Sequence, residues 1–182
     1  MSEKVIAHFC APALAGIKPS NIISCRMSEK AEIYAQLEKL NARLNKKDIY
    51  FEVLSEGSRR ILIMVYRKKT LEKHLKSANT AKFLYTYGYD TEIGKSLETL
   101  KSRLKGCEFP HEIGAFLGYP INDIYAFINH RGEGCLLTGE WKVYENADKA
   151  RELFRRYNAC RCAVVKRIEQ GRTLAEIFNA AQ

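Results

Sequence analysis

The chain has 182 residues, of which 46% are hydrophobic, and a formal net charge of +9. This length suits one ordinary hydrophobic core, and no stretch approaches the roughly 20 consecutive apolar residues of a membrane-spanning helix. The N-terminal segment has an early acidic residue and too little apolar length for a secretory signal. We therefore expect a single domain over residues 1–182, in a cytoplasmic protein with no membrane partner.

The first half of the chain is predicted to alternate helices and strands. Residues 5–15 form a helix interrupted near Pro12, and residues 20–25 form a short strand. Ser28 caps the next helix. Its buried face is marked by apolar residues at intervals of four, three and four: Ile33, Leu37, Leu40 and Leu44. A turn at residues 56–58 then joins two strands, and the second, RILIMVY, is apolar enough to lie at the centre of a sheet.

The second half is predicted to be mainly helical. Thr70 and Thr91 are placed to cap two helices. The segment GCLLTGEWKVYE predicts a strand or hairpin with Trp141 and Val143 on one face. This order of elements favours an α+β fold: a small mixed or antiparallel sheet of about four strands, with helices packed on it and a helix-rich C-terminal half.

The last helix has a clear start signal. Thr173 and Glu176 have the spacing of a capping box, in which each residue's side chain accepts from the other's backbone N–H.

The six cysteines are predicted to be free thiols, because a chain of this size without an export signal does not need disulfides. They show no C-x-x-C spacing. The positive charge is spread along the sequence, and its denser runs lie on predicted amphipathic helices, where a solvated basic face is the usual explanation.

The segment CEFPHEIGAFLGYPINDIYAFIN (residues 107–129) fits a helix-turn-helix over residues 111–128. The outward positions of its second helix, however, are predicted to be Asn122, Asp123 and Asn129, and an acidic helix is poorly suited to bind DNA. Nucleic-acid binding through this segment is therefore an alternative hypothesis and not the leading one.

The same segment contains polar residues suited to chemistry. Pro110 suits the first position of a helix, which puts His111 and Glu112 at its N-terminus, where a carboxylate interacts well with exposed N–H groups. His111 and Cys10 are candidate catalytic residues, since an imidazole can draw the proton from a thiol. His8, Cys10, His111 and Glu112 are candidate ligands for a transition metal, although no local metal motif is present.

Four segments together resemble a bacterial family known as domain of unknown function 3793: HFCAPALAGIKPSNIISC, ILIMVYRKKTLEKHL, FPHEIGAFLGYPINDIYAFI and GEWKVYENADKARELFRRYNAC. The resemblance spans nearly the whole chain from His8. Where the family has Thr in its first segment, this chain has Ala13. The resemblance implies a small cytoplasmic bacterial protein and lends it no activity.

The leading hypothesis is a ligand- or metal-binding, regulatory protein with a site near the N-terminal helix and the His111 turn. Its partner would be a small ligand or a protein, and Lys18, Trp141 and Tyr144 are candidate ligand- or cofactor-binding residues because they lie near element ends. A second hypothesis is a thiol-dependent enzyme or redox protein that uses Cys10. The sequence leaves open whether the protein is an enzyme.

Overall fold

The computed structural model describes residues 1–106 and 108–179. Contacts divide the chain into two compact units. Residues 1–71 and the chain from residue 159 onward form one, here called the sheet unit, and residues 72–158 form the other, here called the helical unit. The expectation of one domain over residues 1–182 stays a prediction.

The sheet unit is built on three antiparallel strands in the order β1-β3-β2, so the apolar second strand of the hairpin is central, as predicted. Its elements are α1 (Glu3–Leu14), β1 (Ser20–Arg26), α2 (Lys30–Leu44), β2 (Ile49–Glu56), β3 (Arg60–Arg67), the start of α3 (Lys68–Leu75), the end of α8 (Ala147–Glu169) and α9 (Leu174–Asn179). The α+β class predicted from the sequence is confirmed.

One face of this sheet carries the hydrophobic core of the unit. Alternate strand residues point to it, and α1, α2, α9 and the end of α8 pack over them. The four predicted core residues of α2 are all buried there: Ile33, Leu37, Leu40 and Leu44. The 3.6-residue periodicity therefore identified the buried face of this helix correctly.

Helix α1 is continuous through Pro12, contrary to the predicted interruption. Pro12 lies in its last turn, where side chains from the sheet satisfy backbone groups. Asn21 Oδ1 accepts the N–H of Ala13 at 3.1 Å, and Arg67 Nε donates to the Leu14 carbonyl at 2.8 Å. Because β1 and β3 supply these partners, the proline does not break the helix.

Two predicted helix caps are wrong. Ser28 lies in a 3-10 turn before α2, which starts at Lys30 without a side-chain cap. Helix α3 starts before Thr70, and its first turn is capped from another segment: the Asp48 carboxylate accepts the N–H of Lys69 at 3.1 Å. The capping box at the start of α9 is confirmed, with Glu176 Oε2 accepting the Thr173 N–H at 2.7 Å.

The helical unit contains the end of α3, α4 (Ala78–Tyr85), α5 (Ile93–Arg103), α6 (Ile113–Phe116), α7 (Ile121–Asn129), β4 (Leu137–Thr138), β5 (Lys142–Val143) and the start of α8. Strands β4 and β5 form the predicted hairpin. Helix α5 starts at Ile93, later than predicted, so Thr91 is not its cap. In the turn before it, Asp90 Oδ1 accepts the Glu92 N–H at 2.8 Å. In residues 1–106 and 108–179, no helix is long and apolar enough to cross a membrane.

The edge strand β2 is partnered by a side chain of α2. Asn41 Nδ2 donates to the Phe51 carbonyl at 2.8 Å, and Asn41 Oδ1 accepts the Phe51 N–H at 2.9 Å. One amide thus satisfies both backbone groups of a residue that has no neighbouring strand on that side.

We predict that Asn41→Asp destabilises the protein by about 1–3 kcal/mol, because a carboxylate of the same size cannot donate to the Phe51 carbonyl. Urea unfolding measures the change. Asn158→Asp, an equal change of charge at an exposed position of α8, should cost less than about 0.5 kcal/mol. Equal losses in the two variants would show that the Asn41 amide is unimportant.

Candidate functional site

The residues singled out in the sequence are divided between the two units. His8, Cys10 and Lys18 belong to the sheet unit, and the other four candidates belong to the helical unit: His111, Glu112, Trp141 and Tyr144. Among the residues that the structure describes, no group of three or more His, Cys, Asp or Glu side chains could hold a metal ion. Metal binding by His8, Cys10, His111 and Glu112 stays a prediction.

Cys10 is a fully buried thiol in the core of the sheet unit. Burial raises the pKa of this thiol to about 12, and the nearby positive charge of Lys18 opposes the shift only in part. The nucleophilic form of cysteine is the thiolate. At neutral pH Cys10 is therefore a protonated core residue, which gives no support to the hypothesis of a Cys10-dependent enzyme. His8, two residues earlier, is exposed and packs edge-on against Phe9.

Glu112 does not cap a helix, contrary to our interpretation of the sequence. Its side chain is 2% exposed, and Oε1 accepts hydrogen bonds from Tyr89 Oη at 3.0 Å and from Arg103 Nε. Helix α6 begins at Ile113 without a side-chain cap. The two neighbouring side chains therefore have different environments. Glu112 is the buried partner of an ion pair, whereas His111 is exposed and its ring packs edge-on against that of Phe127.

The predicted helix-turn-helix segment does form two helices, α6 and α7, around a turn in which Gly118 has a φ of +76°. Two of the three residues predicted to face outward are committed to other contacts. Asn122 Nδ2 donates to Glu145 Oε2 at 3.0 Å, and Asp123 is buried. Neither side chain is available to contact a base edge without losing these contacts.

Asp123 connects α7 to the β4–β5 hairpin. Its Oδ2 accepts the indole N–H of Trp141 at 2.7 Å, and its Oδ1 accepts the backbone N–H groups of Tyr144 at 2.8 Å and Glu145 at 3.1 Å. Three donors on a buried carboxylate form a strong charge-assisted network. Asp123 thereby fixes both the orientation of Trp141 and the chain that leads into α8.

The Trp141 side chain also packs against two aromatic rings. The ring centroids of Tyr119 and Phe154 lie 5.2 Å and 4.7 Å from that of Trp141. Gly139, in the hairpin turn, permits this packing, because a Cβ atom at that position would overlap the Phe154 ring. The hairpin, α7 and the start of α8 therefore form one packed wall.

This wall borders a cavity of about 660 Å³ within the helical unit. The first turns of three helices contribute residues to it: Asn79 from α4, Ile121 and Asn122 from α7, and Lys149 from α8. Neither α4 nor α7 has a side-chain cap hydrogen bond at its N-terminus. Helix N-termini carry partial positive charge and backbone N–H groups without helical partners.

The charged side chains around the cavity fall into two groups. All three carboxylates are engaged: Asp123 as described, Glu145 by Asn122, and Glu152 by an ion pair with Arg155. The two cations are Lys149 and Arg156. In the part of the chain that the structure describes, neither of them forms an ion pair. Lys149 and Arg156 are therefore the charged groups of the cavity without an ion-pair partner among the described residues, whereas each carboxylate already has a donor.

A family model described as "Protein of unknown function (DUF3793)" matches residues 6–178. The chain belongs to this family. No curated protein and no solved structure gives a significant match. The family membership expected from the four segments is confirmed, and the function of the chain must be inferred from its own geometry.

Trp141, a candidate binding residue in the sequence, borders the cavity, but the residues around it were not predicted. Asp123 was predicted to face outward, Arg156 lies in a basic run interpreted as a solvated helix face, and Lys149 was not singled out. Tyr144 was predicted as a binding residue; its ring stacks on His130 at 5.9 Å, and its hydroxyl is buried without a hydrogen-bond partner in the described structure. Tyr144 does not line the cavity.

We predict that Cys10 in the native protein resists alkylation by N-ethylmaleimide near neutral pH. Burial raises the pKa of this thiol far above 7, so it stays protonated at neutral pH, and the side chain has no solvent exposure. Cys162 is exposed and should react faster than Cys10. Mass spectrometry of peptides from timed samples measures both rates, and modification of Cys10 as fast as of Cys162 would contradict the structural role.

We predict that Asp123→Asn destabilises the protein by about 1–3 kcal/mol, because an amide cannot accept from all three donors. Trp141 is the only tryptophan of the chain and is 8% exposed, so its emission should shift to longer wavelength. Asp148→Asn is the control: its side chain is 98% exposed, and its loss should cost less than about 1 kcal/mol without moving the emission. Unchanged emission and stability in Asp123→Asn would refute the anchoring role.

Proposed function

We propose that this protein binds a small organic anion in the cavity of the helical unit. The observation that carries the proposal is the distribution of charge around that cavity. Lys149 and Arg156 have no ion-pair partner in the described structure, whereas each bordering carboxylate already accepts a hydrogen bond. The two cations and the first turns of three helices together favour a ligand with a phosphate or carboxylate group.

The rest of the lining suits an apolar ligand body. Ile121, Leu153 and Trp141 border the cavity beside the polar residues. A volume of about 660 Å³ lies within the range of small-molecule sites, about 300–1,000 Å³. An anion with an attached ring or short chain would use both the cations and this apolar surface.

Binding is a better proposal than catalysis. Among the described residues that line the cavity there is no thiol, hydroxyl or imidazole, and the carboxylates are held by other donors. A nucleophile and a general base within hydrogen-bond reach are what covalent catalysis requires. The proposed site lies around Trp141, not at the N-terminal helix and the His111 turn, and a role for those two segments stays a prediction.

We also propose that the protein acts in the cytoplasm. The five cysteines that the structure describes are free, and two of them are buried in the core of the sheet unit: Cys10 and Cys25. Free buried thiols are typical of a compartment that keeps cysteine reduced.

Phenyl phosphate is a suitable probe because it combines the two expected features. We expect it to change the fluorescence of Trp141 in a saturable manner and to bind more tightly than either inorganic phosphate or phenol. The variant Lys149→Gln/Arg156→Gln should bind phenyl phosphate about tenfold or more weakly, since each charge-assisted hydrogen bond contributes about 1.5–3 kcal/mol.

The matched control is Lys82→Gln/Lys105→Gln, which removes the same charge from exposed positions of the same unit that do not line the cavity. It should bind phenyl phosphate like the wild type. Two results would overturn the proposal: no saturable response of the wild type, or equal affinities in the two double variants.

A further inference from the structure

The positive charge of the chain is concentrated by folding. In the sequence it is spread over all parts, but the sheet unit contains 17 Lys and Arg residues against nine Asp and Glu, a net charge of +8. The helical unit contains 13 against 12, a net charge of +1. An anionic macromolecule would therefore be attracted to the sheet unit.

Two short basic segments of this unit lie side by side. Strand pairing places Ile49 opposite Arg67, so the residues before β2 lie beside those after β3. Arg67 Nη1 donates to the Lys47 carbonyl at 3.1 Å, and the Lys68 N–H donates to the Asp48 carbonyl at 3.2 Å. The basic cluster formed in this way consists of Lys46, Lys47, Arg67, Lys68 and Lys69.

Little in the cluster neutralises its charge. Asp48 is the only acidic residue in the two segments, and its carboxylate accepts the Lys69 N–H at 3.1 Å. In residues 1–106 and 108–179 none of the four lysines forms an ion pair, and all four are exposed. Arg67 is committed to two backbone carbonyls. The cluster therefore presents four free ammonium groups.

We propose that the basic cluster is a docking surface for the phosphate backbone of a nucleic acid. Lysine binds phosphate as a point charge, and a nucleic-acid strand presents several phosphates in a row, so that several lysines can be engaged at once. The lysines of the cluster offer point charges to phosphates, and its one guanidinium, Arg67, is held by two backbone carbonyls, so the proposed binding does not depend on base sequence. This surface shares no residue with the helix-turn-helix segment or with the cavity.

A membrane surface fits the cluster less well. Stable adsorption to a bilayer needs apolar side chains beside the basic ones. The two segments, Asn45-Lys46-Lys47-Asp48 and Arg67-Lys68-Lys69-Thr70, contain no apolar residue. Charge without an apolar anchor favours a nucleic acid.

The test is fluorescence anisotropy of a labelled oligonucleotide, single-stranded and duplex, titrated with the full chain at several salt concentrations. Replacing the four lysines with Gln (Lys46, Lys47, Lys68 and Lys69) should weaken binding at least tenfold at about 50 mM salt. The slope of log affinity against log salt for the duplex should fall by about 3–4, close to one for each lost phosphate contact.

The control replaces four exposed lysines elsewhere with Gln, at Lys39, Lys82, Lys105 and Lys166, and removes the same charge. It should weaken binding less than about threefold. Thermal unfolding shows whether each variant is folded, and Lys46→Glu alone provides a second test at an exposed side chain. The proposal is overturned if the wild type does not bind at low salt, if both fourfold variants lose affinity equally, or if anionic vesicles bind the protein and oligonucleotides do not.

Discussion

The candidate site depends on the carboxylate of Asp123. Its three hydrogen bonds join the first turn of α7 to Trp141 and to the chain entering α8. The packing of Trp141 against Tyr119 and Phe154 holds the same segments together, and the hydrogen bonds of Asp123 fix their orientation. Burying a carboxylate is costly unless donors surround it, and here the donors come from the very segments that form the cavity wall. The Asp123 carboxylate thus helps to set the shape of the site.

The ligand preference of the cavity also depends on the N-termini of α4 and α7, which border it without side-chain caps. Chains usually satisfy the first N–H groups of a helix with a Ser, Thr, Asp or Asn side chain. Ser77 precedes α4, but its hydroxyl donates to the His74 carbonyl and does not cap the helix. Pro120 precedes α7 and has no side chain that could cap it. These N-termini meet Lys149 and Arg156 around one cavity, and this coincidence favours an anion over a neutral ligand.

The sequence predicted the parts of the fold that local pattern determines. The spacing of Ile33 and Leu37 revealed the buried face of α2, and the apolar run of β3 revealed the central strand. Prediction from the sequence was wrong where a side chain from another segment binds the backbone at a helix end. Asp48 accepts an N–H group in the first turn of α3, and Asn21 accepts one in the last turn of α1, after Pro12. The residues around the cavity could not be predicted from the sequence for the same reason. Nothing local distinguishes Asp123 from an ordinary exposed first-turn residue, and the burial of Cys10 depends on strands far away in sequence.

Diffraction from a crystal soaked in tungstate, a heavy-atom analogue of phosphate, tests the central claim most directly. Tungsten scatters anomalously, so a bound ion can be located without a model of the ligand. We predict an anomalous peak inside the cavity, within hydrogen-bond distance of Lys149 or Arg156 and of first-turn N–H groups of α7. Tungstate bound elsewhere on the protein, with the cavity empty at the same concentration, would contradict it.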